Sequence, residues 1–234
     1  MAQSLLSIML CSILWVVAGY SLTFSGDHPL IGNFDKLMLN GVGMTSIAPS
    51  TSIPEMLFML YQMTFAVITV ALVAGSVADR MRFGAYVWFA GLWMFCVYVP
   101  IAHWVWGGGW LTPDAATMKP GILDFAGGTV VHLNAGVAGL VAAYVIGRRH
   151  GYGSDNFAPY DLSLAVIGTG LLWVGWFGFN GGSALGANSR AVFAIVATHL
   201  AACAGALTWM FLEWWTRGKP SVLGIVTGMV AGLG

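Results

Sequence analysis

The chain has 234 residues and no formal net charge, with nine Lys and Arg against nine Asp and Glu. Hydrophobic residues make up 58% of it and charged residues only 8%, whereas soluble domains carry about 25% charged residues. This composition excludes an ordinary soluble domain and indicates an integral membrane protein. Because the chain has no block of basic residues, nucleic acid is not an expected partner.

Apolar runs along the chain are long enough to cross a bilayer as helices. A hydrocarbon core about 30 Å thick needs about 20 apolar residues at a rise of ~1.5 Å each. The runs predict six transmembrane helices, at residues 4–24, 54–78, 83–106, 125–147, 161–182 and 190–216. They are continuous rather than alternating, which excludes a β-barrel. We therefore expect an all-α polytopic helix bundle forming a single transmembrane domain over residues 1–234.

Basic residues are unevenly distributed between the loops on the two sides of the predicted bundle. Six lie on one side: Arg80, Arg82, Arg148, Arg149, Arg217 and Lys219. Three lie on the other: Lys36, Lys119 and Arg190. The positive-inside rule places the first set in the cytoplasm, which predicts a multi-pass protein of the cell (inner or plasma) membrane.

The apolar runs at the two ends of the chain differ in length. The first apolar run has no basic segment before it and is too long for a signal peptide, so it is interpreted as a membrane span. Residues 221–234 form an apolar run that would reach only about 21 Å as a helix, too short to cross the bilayer. We expect part of a seventh helix here, in a chain that is a fragment of a longer protein.

The three cysteines do not predict a cofactor or a disulfide framework. Cys11, Cys96 and Cys203 fall in three different predicted helices, without the spacing of a metal site. No metal and no cofactor are expected.

The segment DFAGGTVVHLNAG opens the fourth predicted helix and places a histidine inside it. Asp124 occupies an N-cap position, where a carboxylate accepts the first free amide protons. His132 lies eight residues further, roughly 12 Å deep, and helical spacing places it on one face with Gly128, Gly136 and Gly139, expected to point into the bundle. Ionisable residues inside membranes are functional candidates, although a neutral imidazole bonded to a neighbouring helix is the alternative.

Aromatic and hydroxyl residues gather near the outer ends of several predicted helices. Trp106 ends the third helix, before a glycine run, and Phe65 lies about halfway along the second. Phe179 and Ser183, four residues apart, share a face at the outer end of the fifth. Without other information Trp106 would be an aromatic-belt anchor and the phenylalanines packing residues. His103 is expected in the same interfacial belt.

Five segments together resemble the ammonium transporter family (Amt, related to the Rh proteins), in order and over nearly the whole chain. They are YQMTFAVITVALVAGSVADRMRF, IAHWVWGGGW, LDFAGGTVVHLNAGVAGLVAAYVIGRR, GWFGFNGGSALGAN and GKPSVLGIVTGMVAGL. The resemblance implies a fold of two inverted halves, with the first helix and most of the second half outside this chain. It also implies a homotrimer and a cytoplasmic nitrogen-signalling regulator as a possible partner.

The resemblance assigns an outer recruitment site for ammonium. Trp106 and Ser183 would form this site, Phe65 would shape it, and Asp124 would be the buried acid that supports it. A tryptophan face attracts a small cation, and a serine oxygen accepts one of its protons.

The resemblance also assigns a pore below that site. Phe65 and Phe179 would be the stacked rings that close its mouth, and His132 the first of two pore histidines, the second lying beyond Gly234. The cation would be deprotonated and passed as ammonia, with His132 as proton relay. Residue 61 is Tyr where many relatives carry Phe, a modest departure at the pore mouth.

Three other functions remain open from the sequence. The chain could form a channel for another small neutral solute such as urea or water, or the module of an ammonium sensor. A haem-binding cytochrome using His103, His132 and His199 is the third, although these histidines lack a regular paired interval. An enzyme is not expected.

Overall fold

A computed structural model describes residues 1–114, 117–155 and 157–234, which are almost entirely helical where they are regular. This described part contains six helices with the length and composition to cross a membrane, which we name α1 to α6. Their bounds are Ala2–Phe24, Glu55–Ser76, Phe83–Trp106, Gly128–Ile146, Leu162–Gly181 and Ser189–Arg217. A shorter apolar helix, α7, spans Val222–Leu233. The six predicted helices are confirmed, with ends that differ by three residues or fewer.

Four of the long helices contain a π-helical segment that the sequence did not predict. These segments are Trp15–Gly19 in α1, Met94–Tyr98 in α3, Gly128–Leu133 in α4 and Phe177–Gly181 in α5. A π-helical turn bonds residues five apart and shifts the face on which later side chains lie. Two of the predicted site residues, His132 and Phe179, lie in such segments.

The described chain divides into two compact units, Met1–Ser154 and Asp155–Gly234. The first contains α1 to α4 and the second α5 to α7. The single transmembrane domain over residues 1–234 stays a prediction.

In the first unit, α1 packs against α2 and α3, and α2 packs against α4. Large aromatic side chains fill the interior, and two of them hydrogen-bond to a neighbouring helix. The Trp15 indole donates to the Met59 carbonyl at 3.2 Å, and the Tyr86 hydroxyl is 2.7 Å from the Ser7 hydroxyl. Hydrogen bonds of this kind hold helices together where water is excluded.

The outward faces of the helices in the first unit carry large apolar side chains. Trp88 is 74% exposed, Leu140 is 72% exposed and Tyr144 is 88% exposed. A soluble protein would bury such surface, whereas lipid or further helices can cover it in a membrane.

A polar contact attaches the loop after α1 to the start of α2. Lys36 forms an ion pair with Glu55, and the Tyr20 hydroxyl donates to Glu55 Oε1 at 3.0 Å. Glu55 is only 4% exposed, and a buried carboxylate is tolerated because it is paired and hydrogen-bonded.

In the second unit, α6 and α7 form a closely packed hairpin. A Cβ atom on Gly205 would meet the backbone of Gly228, and one on Gly228 would meet that of Gly205, so only glycine permits this approach. At the turn, Glu213 accepts hydrogen bonds from the Ser221 backbone nitrogen at 2.8 Å and its hydroxyl at 2.9 Å. Ser221 in turn caps α7 through the Gly224 amide.

Two predictions about the fourth helix are wrong in detail. It begins at Gly128 rather than at residue 125, and Gly128 and Gly136 are exposed rather than facing the interior. The π-helical start breaks the 3.6-residue spacing between Gly128 and the two later glycines. Gly139 is buried as expected, and His132 is partly buried. The buried face consists of Val130, Val131, Asn134, Ala135 and Gly139.

The prediction that His103 lies in the interfacial belt is also wrong. Its side chain is fully buried in the first unit, between the end of α1 and the loop that follows it.

Candidate functional site

Trp106 is the last residue of α3 and is held in place by two neighbouring groups. Its indole nitrogen donates to the Asp124 carbonyl at 2.9 Å. Its ring meets the Phe65 ring edge-on, with 5.5 Å between centroids and 88° between planes. Phe65 comes from the middle of α2 and is 2% exposed. Three segments distant in sequence therefore meet at this tryptophan.

The glycine run after Trp106 brings the end of α3 close to other backbone. A Cβ atom on Gly107 would meet the Thr23 carbonyl and lie 2.8 Å from His103 Nδ1. Gly108 has φ +90°, a left-handed conformation that favours glycine. The close approach at Gly107 and the left-handed backbone at Gly108 both require glycine.

The Asp124 carboxylate binds the start of α4. Its Oδ1 accepts from the Gly127 amide at 2.6 Å, and its Oδ2 accepts from the Thr129 and Val130 amides at 2.8 and 2.9 Å. The predicted capping role is confirmed, although Gly127 occupies the N-cap position. The carboxylate faces the positive end of the helix dipole. Because the Asp124 backbone carbonyl also accepts the Trp106 indole hydrogen bond, Asp124 connects Trp106 to the helix that carries His132.

Gly127 is a residue of this site that sequence reasoning did not single out. Its φ is +99°, and a Cβ atom would lie 2.7 Å from Val131 Cγ2 and 3.4 Å from Phe65 Cδ1. Its carbonyl accepts from the Val131 and His132 amides at 2.8 and 3.0 Å. The adjacent glycines in DFAGG were the only available sign of such a turn.

His132 is the fifth residue of α4 and lies in its π-helical segment. The predicted depth of roughly 12 Å assumed a helix from residue 125. Because residues 125–127 are not helical, the rise from the helix start to His132 is about 6 Å, half the expected value. π-helical turns occur frequently at functional sites, which is in keeping with a candidate role for this histidine.

Tyr61 extends the aromatic cluster along α2. Its ring lies 4.9 Å from that of Phe65, at an interplanar angle of 71°. The phenolic oxygen adds a polar atom to a cluster in which the resemblance implied phenylalanine.

Phe179 and Ser183 belong to the second unit and are close to each other there. The Ser183 hydroxyl donates to the Phe179 carbonyl at 2.8 Å, and the Phe179 ring stacks on Trp176 at 5.1 Å and 30°. In the same turn the Asn180 amide donates to the Thr198 hydroxyl at 2.8 Å. This turn is therefore attached to α6 by side-chain hydrogen bonding.

The predicted site residues thus fall into two groups. Phe65, Trp106 and Asp124 meet directly in the first unit, and Asp124 and Gly127 connect them to the backbone of His132. Phe179 and Ser183 form a second group within the second unit. The stacking of Phe65 on Phe179 and a site shared by Trp106 and Ser183 stay predictions.

No metal site is found among the described residues. Residues 1–114, 117–155 and 157–234 contain no group of three or more His, Cys, Asp or Glu side chains that could hold a metal ion. Both ring nitrogens of His103 are engaged by backbone carbonyls, so this histidine is not positioned to ligate haem iron. That geometry counts against the cytochrome alternative.

Six membrane-length apolar helices, with apolar outward faces, define a multi-pass membrane protein. The family model described as "Ammonium Transporter Family" matches residues 1–234. The ammonium transporter of Aquifex aeolicus is 48% identical over 233 residues, which cover 99% of this chain and 53% of that protein. The ammonium transporter of Bacillus subtilis is 47% identical over 231 residues, 99% of this chain and 55% of that protein. The chain belongs to the ammonium transporter family.

Solved structures agree with this membership. The crystal structure of Candida albicans Mep2 matches with a TM-score of 0.86 and 39% identity, over 98% of this chain and 50% of that one. A structure titled "Sensor Amt Protein" matches with a TM-score of 0.83 and 29% identity, over 99% of this chain and 57% of that one. The chain spans about half the length of the relatives it matches.

Proposed function

We propose that the complete protein carries ammonium across the membrane. In this proposal an outer aromatic site recruits the cation, the site removes a proton, and ammonia passes through an apolar pore that contains His132. Membership of the ammonium transporter family supports the substrate, and the cluster of Phe65, Trp106 and Asp124 supports the recruitment step.

The recruitment step uses aromatic faces instead of a carboxylate. A desolvated cation gains about 0.5–2 kcal/mol from a tryptophan face, and a serine oxygen can accept one of its protons. Trp106 would supply the face and Ser183 the oxygen, with Phe65 shaping the site and gating the pore together with Phe179. Ammonium can donate a hydrogen bond to this oxygen, whereas potassium would interact with it through ion–dipole attraction alone.

Removal of the proton lowers the cost of crossing. An ion moved intact through an apolar pore would lose its hydration at large cost, whereas neutral ammonia loses much less. Histidine has two distinct ring nitrogens and exchanges protons near physiological pH, so His132 can act as the relay where water is excluded.

One observation carries this proposal. Asp124 binds the Trp106 indole through its carbonyl and the start of α4 through its carboxylate. The residue thereby fixes the candidate cation site relative to the first turns of the helix that contains His132. Recruitment and proton transfer need such a fixed relation, because a misplaced relay loses its hydrogen-bond reach.

Uptake of ammonium and methylammonium by the complete protein tests the proposal. We expect Trp106→Leu to raise the apparent KM about 2-fold to 30-fold, the factor that corresponds to one cation–π contact. Trp88→Leu is the control, because Trp88 lies on the same helix and its side chain is exposed. His132→Ala should abolish uptake or change its proton coupling. Uptake that urea inhibits and ammonium does not would instead indicate a channel for a neutral solute.

A sensor is the second candidate function. The structural match to the protein titled "Sensor Amt Protein" favours it. A sensor would bind ammonium at the same outer site without turnover, so binding with no measurable uptake would support it over transport.

Assembly and regulation are further proposals for the complete protein. The family resemblance implies a homotrimer and a cytoplasmic nitrogen-signalling regulator. Native mass spectrometry in detergent measures the oligomer directly, and a monomer would contradict the proposal.

A further inference from the structure

His103 is a fully buried histidine outside the residues assigned above. Its Nδ1 lies 2.8 Å from the Thr23 carbonyl oxygen, and its Nε2 lies 2.7 Å from the His28 carbonyl oxygen. Thr23 is next to the last residue of α1, and His28 lies in the loop that follows. One side chain of α3 thus reaches two backbone carbonyls of a different segment.

Both partners of the ring are carbonyl oxygens, so each ring nitrogen needs an N–H to form a hydrogen bond. A carbonyl oxygen only accepts hydrogen bonds. A neutral imidazole has one N–H, so its second nitrogen would direct a lone pair at a carbonyl oxygen less than 3 Å away. An imidazolium has two N–H groups and satisfies both carbonyls.

We propose that His103 is a positioning residue for Trp106 and works as an imidazolium, donating one N–H to Thr23 and the other to His28. Trp106 follows three residues later on the same helix. The imidazolium ties the backbone of this helix end to α1, while Asp124 holds the Trp106 indole from the α4 side. Trp106 is thereby fixed from two directions. This role rests on the proposed function, whereas the charge state of the ring does not.

The surroundings of His103 accommodate a positive charge without a carboxylate contact. The residue lies in the last turn of α3, where the helix dipole favours a cation. Within the described residues, no carboxylate lies within salt-bridge distance of its ring. The two carbonyl oxygens therefore stabilise the charge of the imidazolium, through charge-assisted hydrogen bonds that are stronger than neutral ones.

Other ionisable groups surround this end of α3 at greater distance. Tyr20 lies on α1, and Asp27 and His28 lie in the bound loop, where both are exposed. Lys119 donates to the Gly109 carbonyl at 2.9 Å, in the turn that follows α3. On the α2 and α4 sides these groups are Glu55, Asp124 and His132. None of their ionisable side chains forms a hydrogen bond with the His103 ring, whose partner in His28 is the backbone carbonyl, so a change of pH acts on the tether through the ring itself.

Nitrogen-15 NMR of histidine-labelled protein tests the charge state without any transport measurement. The His103 signals are identified as those missing from the spectrum of the His103→Asn variant. At pH 7.5 we expect both ring nitrogens to carry a proton. One protonated and one unprotonated nitrogen would overturn the proposal.

Two substitutions separate the two hydrogen bonds. The amide nitrogen of His103→Asn falls near the position of Nδ1 and can keep the bond to Thr23, whereas that of His103→Gln falls near Nε2 and can keep the bond to His28. Each variant loses one bond, and we expect each to raise the apparent KM for ammonium about 3-fold to 10-fold with kcat unchanged. His150→Gln is the control, since His150 is an exposed loop residue.

The pH profile provides the readout that a purely structural role would not change. As pH rises and the ring loses its second proton, the wild-type KM should approach that of the variants, so that their ratio falls toward one. Equal KM values for wild type and both variants at neutral pH would overturn the positioning role. If the wild type shows no uptake at all, the proposed function fails, and the NMR result still decides the charge state of His103.

Discussion

Replacement of Asp124 by alanine tests how the candidate site is built. The substitution removes a carboxylate that accepts three backbone amides of the start of α4, at 2.6, 2.8 and 2.9 Å. Each hydrogen bond to a charged group contributes about 1.5–3 kcal/mol, but bonds that share one carboxylate are not additive. Loss of an ordinary helix cap costs about 0.5–2 kcal/mol. We expect Asp124→Ala to lower the free energy of unfolding by about 3 kcal/mol.

A graded series isolates the role of the carboxylate. Asp124→Asn keeps one acceptor oxygen and should cost about 1–2 kcal/mol. Asp161→Ala is the matched control, because Asp161 caps α5 through a single bond of 3.0 Å to the Leu164 amide and is exposed. Its loss should cost about 1 kcal/mol. The predicted order of stability is wild type, then Asp161→Ala and Asp124→Asn, then Asp124→Ala.

Thermal unfolding in one detergent measures this order. By the ratio observed for soluble domains of 150–250 residues, 3 kcal/mol corresponds to a shift of about 6–12 °C. If Asp124 acts chiefly as a charge that attracts ammonium, Asp124→Asn would lose transport with an unchanged melting temperature. Melting temperatures equal to wild type for both Asp124 variants would refute the capping argument.

Two glycine substitutions give further predictions. Gly127→Ala places a Cβ at φ +99° and 2.7 Å from Val131 Cγ2, so it should lower the free energy of unfolding by about 1–3 kcal/mol and slow uptake. Gly128→Ala is the control, because a Cβ there has nothing within 4 Å and should change neither quantity. Thermal unfolding and uptake assays measure both variants. Gly228→Ala would press on the Gly205 backbone and approach Trp209 Cβ to 2.7 Å. It should lower the melting temperature, whereas Gly175→Ala, with open space around its Cβ, should leave it unchanged.

The helices could be predicted from the sequence because one physical requirement dominates there. Hydrocarbon demands long continuous apolar runs with internally bonded backbone, and charged, polar or glycine-rich segments mark where the runs stop. The ends of α3 at Phe83 and Trp106 were predicted to the residue. The larger error, at the start of α4, arises where a side chain and not the apolar pattern decides the boundary. The Asp124 carboxylate accepts hydrogen bonds from the amides of residues three to six positions later. Gly127 has a left-handed backbone conformation, so the first helical turn begins after it.

The π-helical segments were not predictable from single residues. The segment GTVVHL in α4 has no composition that separates it from an α-helix. The effect of this segment is large, because one extra residue in a turn rotates the side chains before it relative to the side chains after it. The prediction placed Gly128 and Gly139 on one face by the 3.6-residue spacing of an α-helix. That spacing holds only after Leu133, where the π-helical segment ends.

The family resemblance named three residues that the structure brings together, Trp106, Phe65 and Asp124, but not the contacts between them. The types of Trp106, Phe65 and Asp124 could be recognised, whereas their meeting depends on packing among three segments that the sequence separates by 18 residues or more. His103 shows the opposite error. Its position beside Trp104 at a helix end suggested the interfacial belt, and only the fold reveals that the chain after α1 buries it with two carbonyls.

The bonding of Asp124 also bears on how the proposed cation site would release what it binds. A free carboxylate beside Trp106 would attract any cation strongly and would hold it against onward movement. Here the carboxylate oxygens accept amide protons of α4, so their charge is directed at the helix start. The attraction offered by Trp106 is then limited to about 0.5–2 kcal/mol, weak enough for rapid exchange. A site of this strength needs further selectivity from groups that accept the hydrogen bonds of ammonium, and in the proposed function Ser183 and the pore histidine supply them.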